Sequence, residues 1–120
     1  METYNNLSKI QEDISKGLLS CEMLVNHYLQ VIDEKKHLNA FLEVYAEEAL
    51  TAAKNIDEKI KNKTQGRLAG MVLSLKDNLC LKGHLVGAAS KILEGFESLY
   101  TATAVQRLLD EDAIVIGRVN

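Results

Sequence analysis

Proline is wholly absent from the 120 residues, which is unusual for a chain with enzyme-like loops. Cysteine occurs only twice, as Cys21 and Cys80. Two thiols are too few for a disulfide scaffold, and they suit a reducing compartment, so a cytoplasmic location is expected. Aromatic residues make up 5% and are scattered, so no stacking platform for single-stranded nucleic acid is visible. No excess of basic charge exists either. With 14 basic and 17 acidic residues the net charge is −3, which argues against a nucleic-acid or anionic-membrane surface on this segment alone. No apolar run approaches the ~20 residues of a membrane span. The polar stretch Met1–Asn6 has no basic region of the kind that opens a secretory signal. What remains, 47% hydrophobic and 26% charged residues, is the mix of a globular domain. A chain this long can bury roughly two thirds of its unfolded surface.

Residues 1–65 read as a mainly helical region. Leu7, Ile10, Ile14 and Leu18 keep helical spacing, with Gly17 suited to a C-terminal cap. Ser20 stands where an N-cap would, before a second stripe of Leu24, Tyr28, Val31 and Ile32. Ala40 to Tyr45 reads as a short strand with Ala40, Leu42 and Val44 on one face. An alanine-rich helix follows from Tyr45 to Lys61, with Ala49, Ala53, Ile56 and Ile60 in one stripe.

The texture changes at Gly66, and residues 66–120 read as the beginning of an α/β core. Gly70 to Leu75 is an almost unbroken apolar run, the pattern of a strand covered on both sides. A glycine-punctuated stretch leads to a short helical piece around Ser90 to Leu93. Val105, Leu108 and Leu109 mark a further helix, with Thr101 or Thr103 as its cap. Asp110, Glu111 and Asp112 close that helix against the sense of its dipole. Ala113 to Gly117 is a second buried-strand pattern, and strand, helix, strand in this order makes a βαβ unit.

Three sets of residues could carry chemistry. Lys76 lies at the carboxyl end of a parallel strand, the edge where sites of open α/β sheets gather. A lysine partly removed from water loses its proton more easily and can then serve as a general base. A lysine reaching from a strand end into solvent is the plainer reading of the spacing alone. Asp77 and Asn78 could orient Lys76 or shape a turn. Cys80 and His84, four residues apart, could form a nucleophile–base pair or half a metal site, or share no task. Two ligands do not make a zinc site, so no metal is expected. Cys21, His27 and His37 have no evident partners. Gly66, Gly70, Gly83 and Gly87 fit no phosphate-binding loop and read as tight turns.

From Gly66 to Asn78 the string is more than a pattern. It resembles the start of the amidase-signature core: glycines, an apolar strand, then Lys76-Asp77-Asn78. Ala89 to Glu94, Ala102 to Val105 and Ala113 to Asn120 are similar to the branch of that family found as A subunits of aspartyl/glutamyl-tRNA(Asn/Gln) amidotransferases. Leu38 to Leu42 and the alanine-rich helix resemble that branch more loosely. Arg67 and Val72 stand where the family usually has proline; those prolines shape turns and strand entry, so the lysine chemistry is not threatened.

The resemblance implies an α/β fold in which N-terminal helices precede the first strands and helices of the amidase-signature mixed sheet, truncated at Asn120. It implies a Ser-cisSer-Lys site in which Lys76 is the lysine. Both serines would lie in a glycine/serine-rich stretch beyond Asn120, and Ser74 and Ser90 do not match them. The implied reaction is a glutaminase step within a carbon–nitrogen ligase that uses glutamine as amido donor. The ammonia passes to a partner B subunit, where ATP and Mg²⁺ activate a mischarged aminoacyl-tRNA, and a C subunit clamps the complex. ATP and Mg²⁺ would be used by the partner, with no cofactor bound by this segment. The 120 residues alone would then be inactive. Two other readings stand beside this one: an amidase-signature hydrolase of simple amides, and a non-catalytic α/β interaction module. A truncated sheet would leave strands 71–75 and 113–117 with open edges, so self-association is expected.

Overall fold

The computed structural model describes residues 3–120. Helix α1 runs Leu7–Ser15 and α2 runs Cys21–Glu34, followed by a 3₁₀ turn at Lys36–Leu38. Strand β1 is Phe41–Val44, helix α3 Ala46–Lys61 and strand β2 Val72–Lys76. A second 3₁₀ turn at Lys91–Leu93 precedes helix α4, Thr103–Asp110, and strand β3, Ile114–Val119. The sheet order is β1-β3-β2, with β2 parallel and β1 antiparallel to β3.

Local chemistry sets the helix ends. The Asn6 side chain accepts the Lys9 N–H at 2.8 Å, and Ser20 accepts the Met23 N–H at 3.1 Å. The N-terminus of α2 has a second acceptor from far along the chain. The Asp57 carboxylate, on α3, takes the N–H groups of Cys21 and Glu22 at 2.8 and 3.1 Å. This stitches α2 to α3 and places negative charge at the positive end of the α2 dipole. Helix α3 has no side-chain cap but carries Glu47 and Glu48 in its first turn and Lys59 and Lys61 in its last. Gly17 ends α1 with its N–H on the Ile14 carbonyl.

One core joins the two halves of the sequence. Cys21 and Val25 of α2, and Ala49, Ala53 and Ile56 of α3, pack with Ala69 and with Ile114 and Ile116 of β3. A second cluster of Tyr45, Leu75, Val105 and Val115 holds α4 against the other side of the sheet. The stripe expected on α3 is therefore the buried one. The small alanines there let the helix lie close to the central strand.

Several expectations are corrected. In β1 the inward residues are Phe41 and Glu43, while Ala40, Leu42 and Val44 are exposed. A shift of one residue exchanges the two faces of a strand, and pairing with β3, which sets Glu43 beside Arg118, selects this phase. Leu18 is exposed beyond the end of α1, and Leu19 is buried in its place. The cap of α4 is Ala102, without a side-chain bond; Thr103 is already helical, and Thr101 Oγ1 accepts the Lys82 N–H at 3.0 Å. The 113–117 strand is central rather than an open edge, because β1 and β2 flank β3. Among the described residues β2 keeps a free outer edge, and it is not covered on both faces: only Leu75 is buried.

The acidic end of α4 also has a physical reason. Asp112 is buried, its carboxylate accepting the Lys59 ammonium at 2.8 Å and the Gly66 N–H at 2.7 Å. Glu111 accepts the Arg67 N–H at 3.0 Å. These carboxylates bind the turn that leads into β2, and that binding outweighs their opposition to the helix dipole. Gly66 is required there, since a Cβ would lie 2.6 Å from the Glu111 backbone.

Candidate functional site

Lys76 is the last residue of β2, at the carboxyl end of a parallel pair. The next residue continues the ladder, its N–H on the Val119 carbonyl at 2.8 Å. The Leu79 N–H then returns to the Lys76 carbonyl at 3.0 Å, closing a turn through Asp77 and Asn78. Thus the backbone at Lys76 is fixed on both sides, while its side chain is exposed with no ion-pair partner among the described residues. The desolvation expected for this ammonium is not supplied by the other described residues.

A pocket of about 290 Å³ opens beside it, lined by Lys76, Asp77, Asn78, Ala88, Ala89 and Asn120. Its far wall is a strained loop. Ala88 and Ala89 have φ of 47° and 57°, two successive non-glycine residues in the left-handed region. Asp77 holds this loop. Its carboxylate accepts the Gly87 N–H at 3.0 Å, and its carbonyl accepts the Ala88 N–H at 2.9 Å.

Asp77 is buried, and its counter-charge is Arg118 of β3, whose guanidinium donates to the Asp77 carboxylate. Arg118 is also buried and lies 3.6 Å from Glu43 of β1. Burial works against ionisation of Asp77. The Gly87 N–H and the Arg118 guanidinium outweigh it and hold the carboxyl below its usual value. Burial likewise opposes charge on Arg118, and Asp77 outweighs that penalty.

Arg118 was not singled out in the sequence, although a signal was present. A charged residue inside a strand that must be buried requires a buried partner. Asp77, just past the end of the parallel neighbour, is the buried acid within reach, with the half-buried Glu43 of β1 on the other side.

The remaining candidates separate. His84 does not meet Cys80 as a pair: its Nε2 is 2.8 Å from the Glu48 carboxylate and its ring lies 4.2 Å from that of Tyr45. Cys80 lies instead against the Tyr100 hydroxyl. Cys21 is fully buried, its thiol pushed up to about 12 by burial and by Asp57, so it is no nucleophile. The His27 ring lies tilted against that of Tyr28, with centroids 5.9 Å apart, and His37 is exposed in the first 3₁₀ turn. Among the described residues no group of three or more His, Cys, Asp or Glu side chains could hold a metal ion.

Comparison with known proteins places this geometry in context. Residues 23–120 match the family model for amidases. The A subunit of the glutamyl-tRNA(Gln) amidotransferase of Chlorobaculum parvum is 46% identical over 114 residues, covering 91% of this chain and 24% of that protein. Its counterpart of the same name from Brachyspira hyodysenteriae is 42% identical, with 93% and 24% covered. Among solved structures, a peptide amidase from Stenotrophomonas maltophilia superposes with a TM-score of 0.89 at 29% identity, over 98% of this chain and 25% of that one. An amidase family protein from Bacillus anthracis gives 0.88 at 26% identity, over 98% and 24%. The chain thus spans about a quarter of the length of the curated relatives it matches. The family match runs from the first turn of α2 through β3, and the same elements superpose on solved amidases: this chain belongs to the amidase family.

Proposed function

We propose that these residues form the lysine-bearing part of the glutamine-hydrolysing subunit of a tRNA-dependent amidotransferase. The observation that carries this reading is the placement of Lys76, fixed by backbone bonds at the end of β2 and open to a pocket. The similarity to the A subunits of glutamyl-tRNA(Gln) amidotransferases supports it. Lys76 acts as general base for a bridging serine, which in turn deprotonates a nucleophilic serine. That nucleophile attacks the carboxamide of glutamine and ammonia leaves. Both serines belong to a glycine/serine-rich stretch that the 120 residues do not contain. The segment carrying them would cover Lys76 and remove it from water. The ammonia is used by a B subunit with ATP and Mg²⁺ on an aminoacyl-tRNA, and a C subunit braces the assembly in the cytoplasm.

A chimera tests this. Residues 1–120 replace the matching quarter of the Chlorobaculum parvum protein, and ammonia release from glutamine is measured with the B and C subunits present. The chimera is expected to turn over, the 120 residues alone are not, and Lys76→Ala is expected to lose about a thousandfold in kcat. Full turnover by the Lys76→Ala chimera would overturn the assignment. Similarity to a peptide amidase favours a second reading, hydrolysis of simple amides without a tRNA partner. Failure of the chimera to assemble with B and C subunits while still cleaving amides would select it.

A further inference from the structure

The Lys76 site contains a charge problem that β3 addresses. A general base must be available without its proton, yet the residue next to Lys76 is an ionised carboxylate. An adjacent negative charge favours the ammonium form of a lysine and so works against base catalysis. Asp77 cannot simply be dispensed with, because it holds the Gly87 N–H and, through its carbonyl, the Ala88 N–H. These bonds keep the strained Ala88-Ala89 wall of the pocket in place.

We propose that Arg118 is a positioning residue for this site: its guanidinium cancels the Asp77 carboxylate beside Lys76 and clamps that carboxylate against the 87–89 loop. The inference rests on Lys76 being the base.

The pair is built at a cost that stability alone does not explain. Both partners are buried, and Arg118 Nε has no hydrogen-bond partner. Buried ion pairs with incomplete hydrogen bonding are commonly no more stable than apolar side chains of the same volume. The surroundings are few and can be named. The other pocket residues, Asn78, Ala88, Ala89 and Asn120, carry no titratable side chain. The charged or titratable groups facing Arg118 are Asp77 from the β2 turn, Glu43 from β1 and Tyr45 at the start of α3. With Arg118 present the cluster of Glu43, Asp77 and Arg118 carries one net negative charge; without it the two carboxylates stand uncompensated.

The experiment is the pH dependence of kcat/KM for glutamine in the full-length chimera with its partner subunits. The acidic limb of that profile reports the free enzyme's base. Arg118→Met is expected to move the limb up, by about one pH unit, the common scale of a single-charge effect on a neighbouring group. Asp77→Asn removes the carboxylate beside Lys76, leaves Arg118 paired with Glu43 alone and is expected to move the limb down. The double variant is expected to return it close to the parent position, and Arg118→Lys, which keeps the charge, to leave it within about 0.3 units. Opposite shifts from the two single variants are a signature that loss of packing does not produce. If Arg118→Met does not fold, Asp77→Asn and Arg118→Lys still decide the matter. Limbs that stay fixed in the variants, with Lys76→Ala inactive, would overturn this role and leave the Lys76 assignment standing. A fully active Lys76→Ala enzyme would remove both.

Discussion

Gly117→Ala is a sharp probe of how β1 is held. Gly117 lies in the central strand, opposite Val44 of β1 and Ser74 of β2, and the β2 ladder shifts register next to it. A Cβ at this position would lie 2.5 Å from the Glu43 carbonyl oxygen and 2.8 Å from Cδ1 of Phe41. Restoring ordinary contact at ~3.4 Å requires β1 to move by about 0.9 Å, because the nearest atom is backbone and cannot rotate away. Phe41 packs on the main core, so its ring must leave or strain its pocket as well. Overpacking of this kind costs about 1–3 kcal/mol, and with a backbone clash the upper half of that range is expected. For a chain of this size that corresponds to a fall in Tm of roughly 10 °C. Urea denaturation followed by circular dichroism measures it, with the m-value unchanged if the transition stays two-state. A midpoint identical to the parent's, at the same m-value, would refute the claim that backbone contact excludes a side chain here.

Three further outcomes are expected. The Tyr4 hydroxyl holds the Asp13 carboxyl below its usual value, and the Arg67 N–H does the same for Glu111; Asp77 is also lowered. Carboxyls depressed in the folded state contribute stability above the unfolded value near 4, and that contribution is lost as pH falls through the folded values. Tm is therefore expected to be flat from about pH 8 to 5 and to fall below about pH 4; a Tm at pH 3 equal to that at pH 7 would contradict the ion-pair assignments. Thiol titration of the native chain with an aromatic disulfide should modify Cys80, which is half-buried, and leave Cys21 untouched until the protein unfolds. Rapid reaction of both thiols would mean that α2 is not packed as described. Finally, the free outer edge of β2 adjoins an apolar groove lined by Tyr28, Val31, Ile32, Phe41, Val72 and Leu73. Concentration-dependent association of the 120 residues is expected in sedimentation, and a clean monomer at high concentration would refute it.

Much of the fold was legible because it depends on neighbours close in sequence. The stripes of α1, α2 and α3 follow from apolar spacing, except that Leu18 and Val31 are exposed and Val25 is buried instead on α2, and the Ser20 cap follows from a hydroxyl three residues ahead of an open N–H. The apolar runs before Lys76 and before Arg118 identified a parallel pair joined through a helix, and so put Lys76 at a strand's carboxyl end. The phase of β1 was not legible, because Leu42 and Val44 are as apolar as a buried face requires and only pairing with β3 turns them outward.

What the amino-acid order determined by itself was the set of elements, their family likeness and the position of one lysine. Those follow from periodicity, capping and a contiguous motif. Tertiary structure alone decided that β3 is central, that Asp112 anchors Gly66 across 46 residues, and that Asp77 meets Arg118 across 41. The reason is that a buried charge finds its partner through the register of strands, and register is a property of the assembled sheet.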